Sequence, residues 1–167
     1  IKERSAGYRG ALLNTILRND TYYFSQLGTF LERADNTARI LDVKYYVLLP
    51  STSMIGSGVD NAQWEAILRS VSAHRSYRWF YRDSNYRPWL VSEFLILKEE
   101  MPRSLVFSYM WINLALGGLQ SHYQKRYPYH EMAFDTYQRL KNGSMDEIFQ
   151  SGLHEFLQDF LASNTKL

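Results

Sequence analysis

Cysteine is absent from this chain, which excludes disulfides, thiolate nucleophiles and cysteine-ligated metals. The same absence fits a reducing setting, and we expect a cytoplasmic protein. No apolar run approaches the roughly 18 residues of a membrane-spanning helix, so no membrane partner is expected. The formal net charge is only +2, too small to draw the chain to nucleic acid or an anionic surface by its field alone. No Gly-x-Ser-x-Gly elbow occurs, and the short GSG run at 56–58 is no phosphate cradle. Carboxylate-bridged metal bundles use Glu-x-x-His pairs, and no Glu here has His three residues later. The four histidines, His74, His122, His130 and His154, are scattered. We therefore expect no metal and no cofactor.

Prolines are few, and Pro50, Pro88 and Pro102 sit where helical patterns stop or start. No stretch alternates apolar and polar residues as a strand would. What is abundant is aromatic: 16% of the chain, including 13 tyrosines, which predicts a core rimmed with phenols. At 167 residues the chain can bury a real core as one domain. The expected fold is all-α, a bundle of six or seven helices.

The chain is organised around residues 24–49. Phe24, Leu27, Leu31, Ala34, Ala38, Leu41, Tyr45 and Leu48 step by three and four, which predicts a helix with one buried seam. Asn19-Asp20-Thr21 supplies its N-cap. Residues 2–18 read as a preceding helix, and 52–58 as a loop. Asp60 and Gln63 have capping-box spacing at the start of a helix over 61–82. Further helices are expected after Pro88, from Pro102 to about 126, over 129–140, and from a Ser144 capping box to the end. Gly117-Gly118 inside the Pro102 helix suggests a close approach by another helix.

Beside the seam runs a second stripe: Gly28, Glu32, Asp35, Arg39 and Asp42. Asp35 and Arg39 are four apart in the favourable orientation, and Asp42 follows three later. Such a stripe is either a structural network or the wall of a site, and residue types alone favour an Arg39-centred latch between helices. The segment 74–89 mixes arginines with aromatics, as single-strand nucleic-acid platforms do. In a chain this near neutral, arginines packed on core rings are the better expectation, and no nucleic-acid partner is expected.

The run LGTFLERADNTARILDVKYY (27–46) resembles the signature of the bacterial alpha-E family, a helical domain named for its Glu-Arg motif. Arg18-Asn19-Asp20, the LLP at 48–50, the Trp64 to Ser70 region and VSEFLILKEEMPRSLVF (91–107) are similar to the family in the same order. The resemblance covers about residues 1–125, leaving the tail as variable helices, and treats 1–167 as one alpha-E-type domain. It further implies the C-terminal half of a longer chain, whose N-terminal half would be a partner; an opening Ile that already reads as helical agrees.

Carried over, the motif falls on Glu32 and Arg33, with Asp35, Arg39 and Asp42 following and Pro102-Arg103-Ser104 as a second block. The resemblance implies association with ATP-grasp ligases and transglutaminase-like peptidases, a setting in which carboxylates are joined to amines. It suggests an accessory or substrate-binding role, with Arg33, Arg39 and Arg103 holding carboxylates and Asp42 steadying them. The alternative is a transferase or amide-ligase component with Glu32 or Asp35 as general base. A second alternative is a helical scaffold with no site.

Overall fold

The computed structural model describes residues 2–46, 57–82 and 86–167, with backbone alone for 2–6, 9, 45 and 46. Nine helices form among them: α1 (Lys2–Thr15), α2 (Asp20–Tyr46), α3 (Gly58–Ser70), α4 (His74–Tyr81), α5 (Pro88–Ile96), α6 (Leu105–Tyr123), α7 (Pro128–Lys141), α8 (Met145–Ser151) and α9 (Leu153–Thr165). The class is all-α as expected, and no strand forms among the described residues. The count exceeds six or seven because two expected helices are each broken in two. At 71–73 the chain turns through Ser72 (φ 58°), and the Ala73 N–H closes back on the Leu68 carbonyl at 2.7 Å. At Gly152 (φ 95°) it turns again between α8 and α9. That φ is one side chains rarely adopt, so the turn favours glycine. Both breaks keep the apolar face inward, so helical spacing runs across them uninterrupted.

The long α2 is the spine, packing against α6, α9 and α3. Asn19 caps it by accepting the Tyr22 N–H at 3.4 Å, and Asp20 in its first turn faces the positive end of the helix dipole. Ala34, Ala38 and Leu41 are fully buried, as the seam predicts, whereas Phe24 is 54% exposed. A strict 3-4 repeat averages 3.5 residues, and a straight helix drifts about 20° per heptad from it. Two heptads before Ala38 the seam has turned into solvent, and Gln26 and Phe30 are buried at that end; Thr37 and Lys44 are buried beside the seam further along. The Tyr45 side chain, Leu48, the Pro50 stop and the loop up to residue 56 lie outside the described residues.

Between α3, α6 and α8, α5 is buried through Val91, Phe94, Leu95 and Ile96, as its all-round apolar sequence implies. Ser104, two residues past Pro102, is the N-cap of α6 and accepts the Phe107 N–H at 3.1 Å. Of the two glycines in α6, Gly118 explains itself: a Cβ there would enter the Tyr23 ring of α2. Gly117 faces open space. The close approach is therefore by one aromatic side chain, on one glycine.

Candidate functional site

Two donors four residues apart on α2 reach the same turn. The Arg33 guanidinium donates from Nη1 to the Pro102 carbonyl at 3.1 Å, and Thr37 Oγ1 donates to the Arg103 carbonyl at 2.9 Å. Helical spacing puts both on one face, so α2 takes two successive carbonyls just ahead of the α6 N-cap. This fixes where α6 begins relative to α2. Arg33 also lies over the Phe30 ring, its Cζ 4.7 Å from the centroid. Phe30 in turn stacks on Trp111 at 5.5 Å with planes 9° apart, and Phe107 closes the cluster.

These groups wall a half-enclosed cleft of about 260 Å³ between α1, α2 and α6. Leu12 and Leu13 of α1 form one rim, the three rings the apolar wall, and Arg33 with Pro102 one end. Gln26, seven residues before Arg33, lines it too. It is only 9% exposed, and its amide has no hydrogen-bond partner among the described residues. The buried indole N–H of Trp111 has none there either. The Gln26 amide atoms are still reached by solvent, whereas the Trp111 N–H is sealed from it, and a sealed donor without a replacement bond costs free energy. A cationic group, an unpaired amide and an apolar wall in one cleft are the composition of a small-ligand site.

The charged stripe is arranged differently. Arg39 pairs with Asp35 on its own helix, Nε to Oδ2 at 2.7 Å and Nη2 to Oδ1 at 3.1 Å, and is 60% exposed. This pair raises the Arg39 pKa, first through the hydrogen bond and then through the Asp35 charge. It is an exposed pair within one helix, and the expected latch between helices does not form at Arg39. Glu32 is exposed and has no hydrogen-bond or ion-pair partner among the described residues. Gly28 is exposed with no atom near the place of a Cβ, so no second backbone comes close there. Asp42 does bridge helices, but toward α9: it accepts from His154 Nδ1 at 2.6 Å and from Gln158 Nε2 at 2.8 Å. Arg103 is half-buried, and its carbonyl rather than its side chain meets α2. The structure thus brings Arg33 to the turn containing Arg103, and sends Glu32, Arg39 and Asp42 elsewhere.

Sequence reasoning missed the buried ion pair. Lys44 Nζ donates to Asp60 Oδ1 at 2.7 Å and to Gln63 Oε1 at 2.5 Å, and both charged side chains are 5% exposed. Asp60 and Gln63 therefore serve α2, and no capping box forms: α3 is capped by Ser57, whose hydroxyl accepts the Asp60 N–H at 3.2 Å. A lone Lys three residues after Leu41, within reach of a buried seam, was the available signal. Thr37 and Gln26 were equally visible as polar residues on the side that turns inward.

In 74–89 the rings separate from the arginines. Tyr77, Phe80, Tyr81 and Tyr86 pack on one another and on Phe94, while Trp79 is 78% exposed. Arg75, Arg78 and Arg82 cover none of the described rings, so the expected cation–π packing does not form at these three. Burial first, and then the bond Tyr81 donates to Glu93 at 2.6 Å, push the Tyr81 phenol well above its usual pKa range. Burial does the same to Tyr109, which donates to Asn164 at 3.0 Å.

A second cleft, about 380 Å³ between α6 and α7, is lined by Gly117, Arg126 and His130. His130 is committed there: Nδ1 accepts the Tyr127 N–H at 3.1 Å, so Nε2–H donates to the Leu116 carbonyl at 3.2 Å. Among the described residues no group of three or more His, Asp or Glu gathers as metal ligands do, and no helix is long and apolar enough to cross a membrane.

No curated protein and no solved structure matches the chain. A family model does match, over residues 1–167, and so runs through the C-terminal helices beyond residue 125. Its description is a predicted alpha-helical domain with a conserved ER motif, and Glu32-Arg33 on α2 is a Glu-Arg pair of that kind. The chain belongs to the Alpha-E family.

Proposed function

We propose that this chain is an accessory binding component of an ATP-grasp ligase and peptidase module, and that it holds the carboxylate of a peptide-like ligand through Arg33. The observation that carries this reading is the position of Arg33, at the end of a half-enclosed aromatic cleft with its guanidinium steadied by the Pro102 carbonyl. A guanidinium is permanently charged and pairs with carboxylates through its fork of N–H donors. Fixing one edge of the fork on a backbone carbonyl reduces the side-chain freedom lost when a ligand binds. Arg103 on the adjoining turn does not line the cleft, and Arg39 and Asp42 are engaged by Asp35 and by α9. The catalytic alternative has less support, because Asp35 is tied to Arg39 and Glu32 lies in open solvent. The cytoplasmic setting and the ligase, peptidase and N-terminal-half partners belong to this proposal.

The test is calorimetric titration of the protein with a short peptide carrying a free C-terminal carboxylate, beside the same peptide amidated. The carboxylate form binds, and the amide binds at least about tenfold more weakly, as expected when a charged hydrogen bond is lost. In Arg33→Met the difference disappears. Equal binding of the two forms, or binding by neither, overturns the reading.

A further inference from the structure

The cleft contains more than a cation, and its other polar group narrows the ligand. Gln26 and Arg33 are two helical turns apart on one face of α2, about 10.5 Å along the axis. Side chains lean toward the helix N-terminus, so Arg33 leans toward Gln26. Phe30 lies between them, backed by Trp111 and Phe107. The cleft therefore presents, in order, an amide, an apolar wall and a cation.

A primary amide has both a donor and an acceptor face. Its natural complement is another amide, which supplies N–H and C=O together. Gln26 is nine-tenths buried, lines the cleft, and leaves both faces without a partner among the described residues. The cleft is also small. Its volume is about 260 Å³. That is room for one terminal residue with its last peptide bond, and too little for a folded partner.

We infer that the cleft reads the C-terminal residue of a peptide whose last side chain is apolar or aromatic. Gln26 pairs with the final peptide group, the rings of Phe30, Phe107 and Trp111 hold the side chain, and Arg33 takes the free α-carboxylate. This rests on the carboxylate reading of Arg33 and adds the peptide bond and the apolar side chain to it.

Four probes separate the two levels. N-acetyl-phenylalanine has amide, ring and carboxylate; 3-phenylpropionate keeps the ring and carboxylate without the amide; N-acetyl-phenylalaninamide lacks the carboxylate; N-acetylglutamate replaces the ring with a second carboxylate. On the wild-type protein N-acetyl-phenylalanine binds tightest, about tenfold ahead of 3-phenylpropionate, as one well-made hydrogen-bonding group allows. That lead vanishes in Gln26→Leu, which binds the two ligands with equal affinity. Should Gln26→Leu fold poorly, the wild-type Gln26 side-chain amide resonances carry the same test: they shift with N-acetyl-phenylalanine and stay in place with 3-phenylpropionate. Equal affinity for those two ligands, or tighter binding of N-acetylglutamate, overturns the inference while leaving Arg33 as a carboxylate site. Binding of none of the carboxylates removes both.

Discussion

Arg33 and Arg39 are six residues apart on one helix and behave oppositely. Arg39 points to solvent and is held by Asp35 on its own helix. Arg33 is half-buried, lies over Phe30 and reaches a carbonyl 69 residues away in sequence. The pair that sequence spacing makes most visible is the local one, because helical periodicity reports neighbours at i+3 and i+4 and nothing else. Contacts that fix the fold and wall the cleft come from the other side of α2, where Thr37 and Lys44 also turn inward. In this helix the regularly spaced charges mark the surface, and the polar residues that border the buried apolar seam mark the interior.

Substitutions along α2 can break or sharpen that contrast. The largest effect belongs to Lys44→Met, which removes the ammonium from the buried Asp60 carboxylate; we expect a loss of about 3–5 kcal/mol in denaturant melts. The double variant Lys44→Met with Asp60→Leu recovers most of it, since an apolar pair needs no desolvated charge. If the single variant melts like wild type, the ion pair is not the anchor described. Next is Thr37→Val, close to isosteric, which strands the Arg103 carbonyl and lowers stability by about 1–3 kcal/mol. A loss of the same size from a Val at exposed Asn36 would remove the distinction between the faces.

A smaller effect, read in pH, comes from the phenols. Tyr81 and Tyr109 have pKa values raised in the folded state. Their contribution is complete below the unfolded phenol's pKa of about 10 and is lost as pH rises from there toward the raised folded values. Melting temperature therefore falls with alkalinity in that window, and falls less steeply in Tyr81→Phe or Tyr109→Phe. An unchanged slope in both variants would count against burial as the cause. The smallest effect is that of Arg39→Ala, whose melt should match wild type within experimental scatter, as exposed pairs generally behave. A marked fall would return the stripe to a stabilising network.

Much of the fold was legible beforehand. Helical class, the Asn19 cap, the buried α5 and the α6 face of Leu105, Tyr109, Ile112, Leu116 and Leu119 all follow from spacing and capping chemistry. The breaks at Ser72 and Gly152 did not, because an apolar face that continues on the far side of a turn keeps its period. Asp60 and Gln63 carried a genuine capping pattern that a buried lysine overrode; a charge removed from water needs its partners more than a helix end beside water does. For the site, Arg33 was recognisable by its resemblance to the family motif. Its cleft was not, since Gln26 and Trp111 line one space only where α6 packs on α2, with Leu12 of α1 at its rim.

Ligand recognition is assigned to the Arg33 side of α2 rather than to the charged stripe. The most direct measurement titrates N-acetyl-phenylalanine into wild type, Arg33→Met, Arg33→Lys and Arg39→Ala, with a thermal melt of each. We expect wild-type affinity in Arg39→Ala, loss of binding in folded Arg33→Met, and partial recovery in Arg33→Lys, which keeps the charge without the fork. Binding that survives in both Arg33 variants and disappears in a stably folded Arg39→Ala would contradict it, and would move the site to the stripe.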